Sequence, residues 1–287
     1  MKVGLILGGG GEVGIAWEIG VLAALEEEAG LIASASEVVA GTSAGAIVGA
    51  YVAQGRPVPE LAELDRHGEG IGVGAGFGGK GTANPAIPED IIAALVSTEG
   101  TLEQRGATLG QLALQSPVQL DEATFVEGFR TMLGTQEWPA VDFRPTAVNT
   151  ETGETILWDR RSGLGLATAV ASSCSVPGVF PPVGFGSHHY IDVPRRPFAT
   201  DLITSRSLDA VIFVGLILPI LANNNDQKAE LEKAAGDGVR TVTVTGGPGV
   251  DSVSADLLDH SARPRAVEIG FEDGRRAAAA VKALLGT

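Results

Sequence analysis

The 287-residue sequence predicts an α/β fold whose core is a mainly parallel sheet with helices on its faces. Three observations lead there. The chain opens with apolar run, helical pattern, apolar run, helical pattern, the β-α-β-α order that builds parallel sheets. Its apolar runs are continuous rather than alternating, as in strands covered on both faces. Each of the first two runs ends in glycine-rich sequence just where a helix should begin. A hydrophobic share of 44% supplies a large core, and the length suits one sizeable domain with a loop-rich insertion.

The elements follow in order. "KVGLIL" reads as a buried strand, and residues 15–28 as a helix with apolar Ile15, Ile19, Leu22 and Leu25 near the helical period. "SEVVAG" is a second strand, and "AGAIVGAYVAQG" a small-residue helix stopped by Gly55. Residues 56–81 start with two prolines and end in dense glycine, so a mobile loop is expected. Short helices are expected at 88–97, 108–115 and 121–133, the last capped by Asp121. Residues 56–140 are thus expected to form a cap inserted into the single α/β domain. "RPTAVNT" and "ETILWD" read as a hairpin, 163–175 as a helix, and 175–192 as an irregular path into a strand ending near Asp192. A central strand at 211–218, a polar helix at 226–235, the strand "RTVTVTG" and a C-terminal helix to about 285 complete the chain.

Composition narrows the partners. A net charge of −15 and a pI near 4.6 argue against a nucleic-acid partner, which needs clustered Lys and Arg, and against an anionic membrane surface. The longest apolar stretch, "VIFVGLILPILA", is interrupted by Pro219 and falls short of the roughly 20 residues that cross a bilayer. No secretory leader is expected, because the glycines break the first apolar run early. The single cysteine, Cys174, excludes an intramolecular disulfide and favours a reducing, cytoplasmic setting.

Two motifs carry candidate chemistry. "AGTSAGA" contains G-x-S-x-G at Gly41, Ser43 and Gly45 between a predicted strand and helix, where small flanks permit the sharp turn that lifts a serine hydroxyl above the sheet edge. A serine that merely caps the helix is the alternative. "GGGGEVG" spells G-x-G-x-x-G with Gly9, Gly11 and Gly14, a dinucleotide pattern. That pattern calls for an acidic residue at the end of the second strand, but "AGTSAG" stands there and Glu37 lies at the strand's beginning. An oxyanion-binding loop explains both motifs together, because the loops after the first two parallel strands share one sheet edge. The serine needs a base. Asp192, at a strand end, is a candidate; of the four histidines, His188 and His189 point to opposite faces of any strand and form no metal site without further ligands. Cys174 reads as a buried structural thiol and Trp17 and Trp158 as packing.

The blocks "LILGGGGEVGIAWEIGVLAALEE", "VVAGTSAGAIVGA", "AVASSCSVPGVFPPV" and "YIDVPRRPFATDL" resemble, in that order, those of the patatin-like phospholipase family in its bacterial soluble form. The resemblance implies a three-layer α/β/α hydrolase acting on acyl esters of lipids with a Ser-Asp dyad. It implies Ser43 as nucleophile, Asp192 as base, Gly9, Gly10 and Gly11 as the oxyanion loop, and no metal or organic cofactor. Two departures stand out. Val13 occupies a position where the family commonly carries Arg or Lys, and Asp192 is followed by Val193 and Pro194 instead of Gly-Gly or Gly-Ala. A valine forced to positive φ would be strained by about 1–3 kcal/mol, so a rebuilt Asp192 loop is expected. The second reading is therefore a catalytically impaired member that binds an acyl ligand or protein partner.

Overall fold

The computed structural model describes residues 1–70, 72, 87–192 and 197–286. Its sheet has eight strands. Five run parallel in the order β3 (Asp142–Asn149), β2 (Val38–Gly41), β1 (Val3–Leu7), β7 (Ala210–Val214) and β8 (Arg240–Val244). Beyond β3 the sheet turns antiparallel: β4 (Thr155–Leu157) and β6 (His188–Ile191) both pair with β3, and β5 (Val183–Phe185) pairs with β6.

Alternate residues of the central strands face opposite layers. Leu5, Leu7, Val39, Ile212 and Val214 join the main core with α1 (Gly11–Ala29), α2 (Ala44–Ala53) and α10 (Arg263–Leu285). Ile6, Val38, Ala40, Val211 and Phe213 face the other way, onto Leu202 of α8 (Ala199–Arg206) and Leu231 of α9 (Ala222–Gly236). The central sheet is therefore flanked by helices on both sides, as expected. Burial of both faces explains why these strands lack polar alternation.

Most element positions match the sequence reading, including the β3–β4 hairpin and α6 (Glu122–Leu133), whose N-cap Asp121 accepts the Thr124 N–H at 2.9 Å. The stretch 56–66 does not. It holds the helix α3 (Val58–Arg66), with Val58, Leu61 and Ala62 in the main core. The physical reason is that Pro57 sits at the N-cap and Pro59 in the first turn, where a missing N–H costs nothing; the prolines start a helix rather than prevent one. The rest of the glycine-rich stretch, apart from 67–70 and Gly72, lies outside the described residues. The expected helix at 108–115 starts earlier, as α5 (Leu102–Gln115), behind a capping box of Thr101 and Gln104. The path before Asp192 contains the additional short strand β5. With α4 (Glu89–Val96), α5 forms a separate small core against Val148 and Ile191. The helix expected at 163–175 is α7 (Leu166–Ser173), which leads into the irregular path. Among the described residues no helix is long and apolar enough to cross a membrane.

Candidate active site

Both glycine-bearing loops leave the carboxyl edge of neighbouring parallel strands, in register from Gly4 against Val38 to Leu7 against Gly41. They meet directly. The Gly45 N–H donates to the Gly8 carbonyl at 2.9 Å, and the Thr42 N–H to Leu7 at 3.2 Å. A side chain on Gly45 would run into the Leu7 backbone, and one on Gly41 into the carbonyl of Gly45. These two positions must be glycine for the β2–α2 turn to close against β1.

Ser43 occupies the tip of that turn, immediately before α2, at φ 54° and ψ −115°. A non-glycine residue there carries about 1–3 kcal/mol of backbone strain, held in place by its surroundings. Those surroundings are the "SSCS" segment: the Ser43 N–H donates to Ser173 Oγ at 3.0 Å, and the Cys174 thiol donates to the Ser43 carbonyl at 3.4 Å. Cys174 is buried, and burial followed by the charges of Asp192 and Glu12 pushes its thiol well above the ordinary range. It therefore stays a neutral donor rather than a thiolate nucleophile.

Asp192 is 4% exposed and directly follows β6. Its N–H donates to the Ser175 carbonyl at 2.9 Å. The three residues Ser173 to Ser175 therefore touch Ser43 on one side and Asp192 on the other. Val193 and Pro194, on which the expected rebuilding of the Asp192 loop turns, lie outside the described residues.

The glycine loop enters α1 at its N-terminus. Gly11 has φ 60°, and a β-carbon on it would collide with the Leu257 carbonyl, which in turn accepts the Val13 N–H at 3.2 Å. The Gly8 N–H goes to Val214 at 2.9 Å, and the Gly9 N–H to the Asn224 side chain at 3.1 Å. The amides of Gly10 and Gly11 have no acceptor among the described residues, as befits the open first turn of a helix. Val13 is fully buried in the main core and adds no donor to the loop. No acidic residue stands at the end of β2 for a ribose, and Glu37, before that strand, pairs with Lys2 at 3.5 Å.

Beneath the loop lies an ionic cluster that the sequence did not announce. Arg263, fully buried at the start of α10, reaches Glu12 of α1 at 2.7 Å and Asp65 of α3 at 2.6 Å. His260 adds a contact to Glu12 at 3.2 Å. Burial alone would raise the Glu12 carboxyl, but the His260 hydrogen bond and the charge and hydrogen bond of Arg263 outweigh it and bring it to about 2. Asn224 and Gln227, both 1% exposed on α9, are further residues missed by motif reading. Gln227 accepts the Phe198 N–H at 2.6 Å, shortly after Asp192 in the chain. The run of three asparagines opening an otherwise charged helix was the only sequence signal for them. Two other histidines lie elsewhere: His188 pairs with Glu151 at 3.1 Å and His67 with Glu63 at 3.1 Å, both near the surface. Trp17 and Trp158 are buried and donate to Asp273 at 2.8 Å and Ser172 at 3.0 Å. Among the described residues no group of His, Cys, Asp and Glu could hold a metal ion.

Comparison with known proteins agrees with this architecture. No curated protein matches the chain. Among solved structures, VipD from Legionella pneumophila superposes with a TM-score of 0.50 at 14% identity, over 97% of this chain and 67% of that one. The type III effector protein ExoU aligns with a TM-score of 0.44 at 16% identity, over 98% of this chain and 53% of that one. This chain thus spans about two thirds of the one neighbour and about half of the other. The family model for patatin-like phospholipase matches residues 5–69 and 73–192, a span that includes both glycine loops and ends on Asp192. The chain therefore belongs to the patatin-like phospholipase family, a family of lipid acyl hydrolases.

Proposed function

We propose that the protein is a serine acyl-ester hydrolase, phospholipase A-like, acting on lipid or other neutral acyl esters. The observation that carries this reading is the conformation of Ser43. Its backbone is held in a strained turn by Ser173 and Cys174, and the residue stays partly exposed between the buried Gly41 and Gly45. In this reading Ser43 Oγ attacks the ester carbonyl and Asp192 accepts its proton. The contact of the Ser173–Ser175 segment with both residues supports their pairing. The carbonyl oxygen becomes an oxyanion that accepts hydrogen bonds from Gly10 and Gly11, while Gly9, whose N–H is committed to Asn224, anchors the loop. Collapse expels the alcohol, protonated by Asp192. Water, activated by the same carboxylate, then attacks the acyl-serine and releases the acid. The steps need no metal or organic cofactor. Within residues 56–140, helices α4 and α5 are the proposed cap, supported by their separate core against Ile191, next to Asp192.

The buried, apolar Val13 favours a second reading, an impaired member that binds an acyl ligand or partner without turnover. Intact mass after fluorophosphonate treatment separates the two. A single adduct on the parent, absent from Ser43→Ala, is expected, together with a loss of ester turnover of about a thousandfold or more in Ser43→Ala and Asp192→Asn. A parent that takes no adduct and hydrolyses no ester from short to long chain would sink the hydrolase reading and favour the second.

A further inference from the structure

The glycine loop is held by a residue from the far end of the chain. Asn224 lies 215 positions from Gly9, in the first turn of α9, and is 1% exposed. Its carboxamide makes three hydrogen bonds at once. Oδ1 accepts the Gly9 N–H at 3.1 Å, and Nδ2 donates to the Gly9 carbonyl at 2.9 Å and to the Leu216 carbonyl at 2.9 Å. One planar amide thus grips both polar groups of Gly9 and ties them to Leu216, just beyond β7. There is no slack in the arrangement: a β-carbon on Gly8 would stand 2.7 Å from the Asn224 amide nitrogen.

The grip decides where the neighbouring amides point. With the Gly9 N–H turned toward Asn224, the chain enters α1 through Gly10 and Gly11, whose N–H groups keep no acceptor among the described residues. Because Val13 supplies no donor, oxyanion stabilisation rests on peptide dipoles alone, and these help only when they are held at the developing charge before reaction begins. A glycine loop is the most pliable backbone available, so something must hold it.

We propose that Asn224 is a positioning residue that aims the Gly10 and Gly11 amides at the oxyanion. The proposal rests on the hydrolase reading above and touches no substrate atom directly. Its signature is a selective loss of transition-state affinity.

The test compares the parent with Asn224→Leu, similar in size but unable to make any of the three bonds, and with Asn225→Ala. Asn225, next along the helix, donates to the Leu218 carbonyl at 3.4 Å and makes no hydrogen bond with Gly9 among the described residues, so it serves as control. Each is measured for kcat and KM on a p-nitrophenyl ester, for inhibition by a trifluoromethyl ketone that forms an oxyanion adduct with serine, and for binding of the product carboxylic acid. Asn224→Leu is expected to lower kcat about 10- to 100-fold, to weaken the ketone by a similar factor, and to leave KM and product binding within about threefold. Asn225→Ala is expected to match the parent. If Asn224→Leu does not fold, Asn224→Ser, which keeps a small polar group, must show the same kcat-selective loss to a smaller degree. Retention of kcat within about twofold in a folded Asn224 variant overturns the proposal, as does an equal loss of ketone and product affinity. A parent that takes no fluorophosphonate adduct instead fails the hydrolase reading, and the proposal falls with it.

Discussion

At the residue scale, the site concentrates features that cost stability elsewhere in a protein. Ser43 keeps a positive-φ backbone without being glycine, and Glu18, two helical turns beyond the loop on α1, is buried with both carboxyl oxygens lacking a hydrogen-bond partner among the described residues. Burial pushes its carboxyl well above the ordinary range; it lies toward the Gly8 N–H, but that donor is spent on Val214. The unfolded chain loses the proton near 4.5 while the folded chain keeps it, so stability contributed by this position falls as pH rises past that value. Glu18→Met, of similar length, removes both the unpaired oxygens and the proton linkage. It is expected to stabilise by on the order of 1–3 kcal/mol at pH 7, with the gain growing from pH 4 to pH 7 in urea denaturation. A gain that stays flat across that range would show that Glu18 is already ionised when folded.

At the element scale, α1, α3 and α10 are joined at the glycine loop by Glu12, Asp65 and Arg263. Such a cluster contributes less to net stability than its short distances suggest, because burying the charges is costly. It does set the position of the α1 N-terminus. His260 is its titratable member: the Glu12 hydrogen bond raises the imidazole above 6.5, burial opposes this, and Asp65 and Arg263 act in opposite directions from further off. A raised imidazole stabilises the fold below the unfolded value and ceases to do so as pH climbs through the folded value. His260→Asn is therefore expected to lower the melting temperature near pH 5.5 and to match the parent near pH 9. An equal deficit at both values would assign His260 a packing role only. None of this network was legible in the sequence, because Glu12, Asp65, His260 and Arg263 are scattered over some 250 positions and follow no motif. Helix α3 was missed for a local reason, its prolines being read as breakers when their position in the first turn makes them starters.

At the scale of the whole molecule, the charge of −15 sets how a lipid surface is met. Electrostatic repulsion makes anionic vesicles poor partners at low ionic strength, and salt screens it over about 10 Å at 0.1 M. Co-sedimentation is expected to be weaker with anionic than with zwitterionic vesicles at low salt, the difference shrinking at 0.5 M salt. Stronger binding to the anionic vesicles at low salt would point instead to a local basic patch that overrides the net charge.

The residues of one short window were enough for the parallel core and for both loops of the candidate site. Strand burial, helical period and glycine spacing are local properties, and β1–α1 and β2–α2 carry them within the first 55 residues. The four sequence blocks were likewise enough for the family. Tertiary structure alone decided what binds the Gly9 N–H, through Asn224, and what holds Ser43 and Asp192 against a common segment, through Ser173 and Ser175. The physical reason is that a hydrogen bond requires two groups to meet in space, and each of these pairings beyond Ser175–Asp192 closes a loop of more than a hundred residues that no periodicity records.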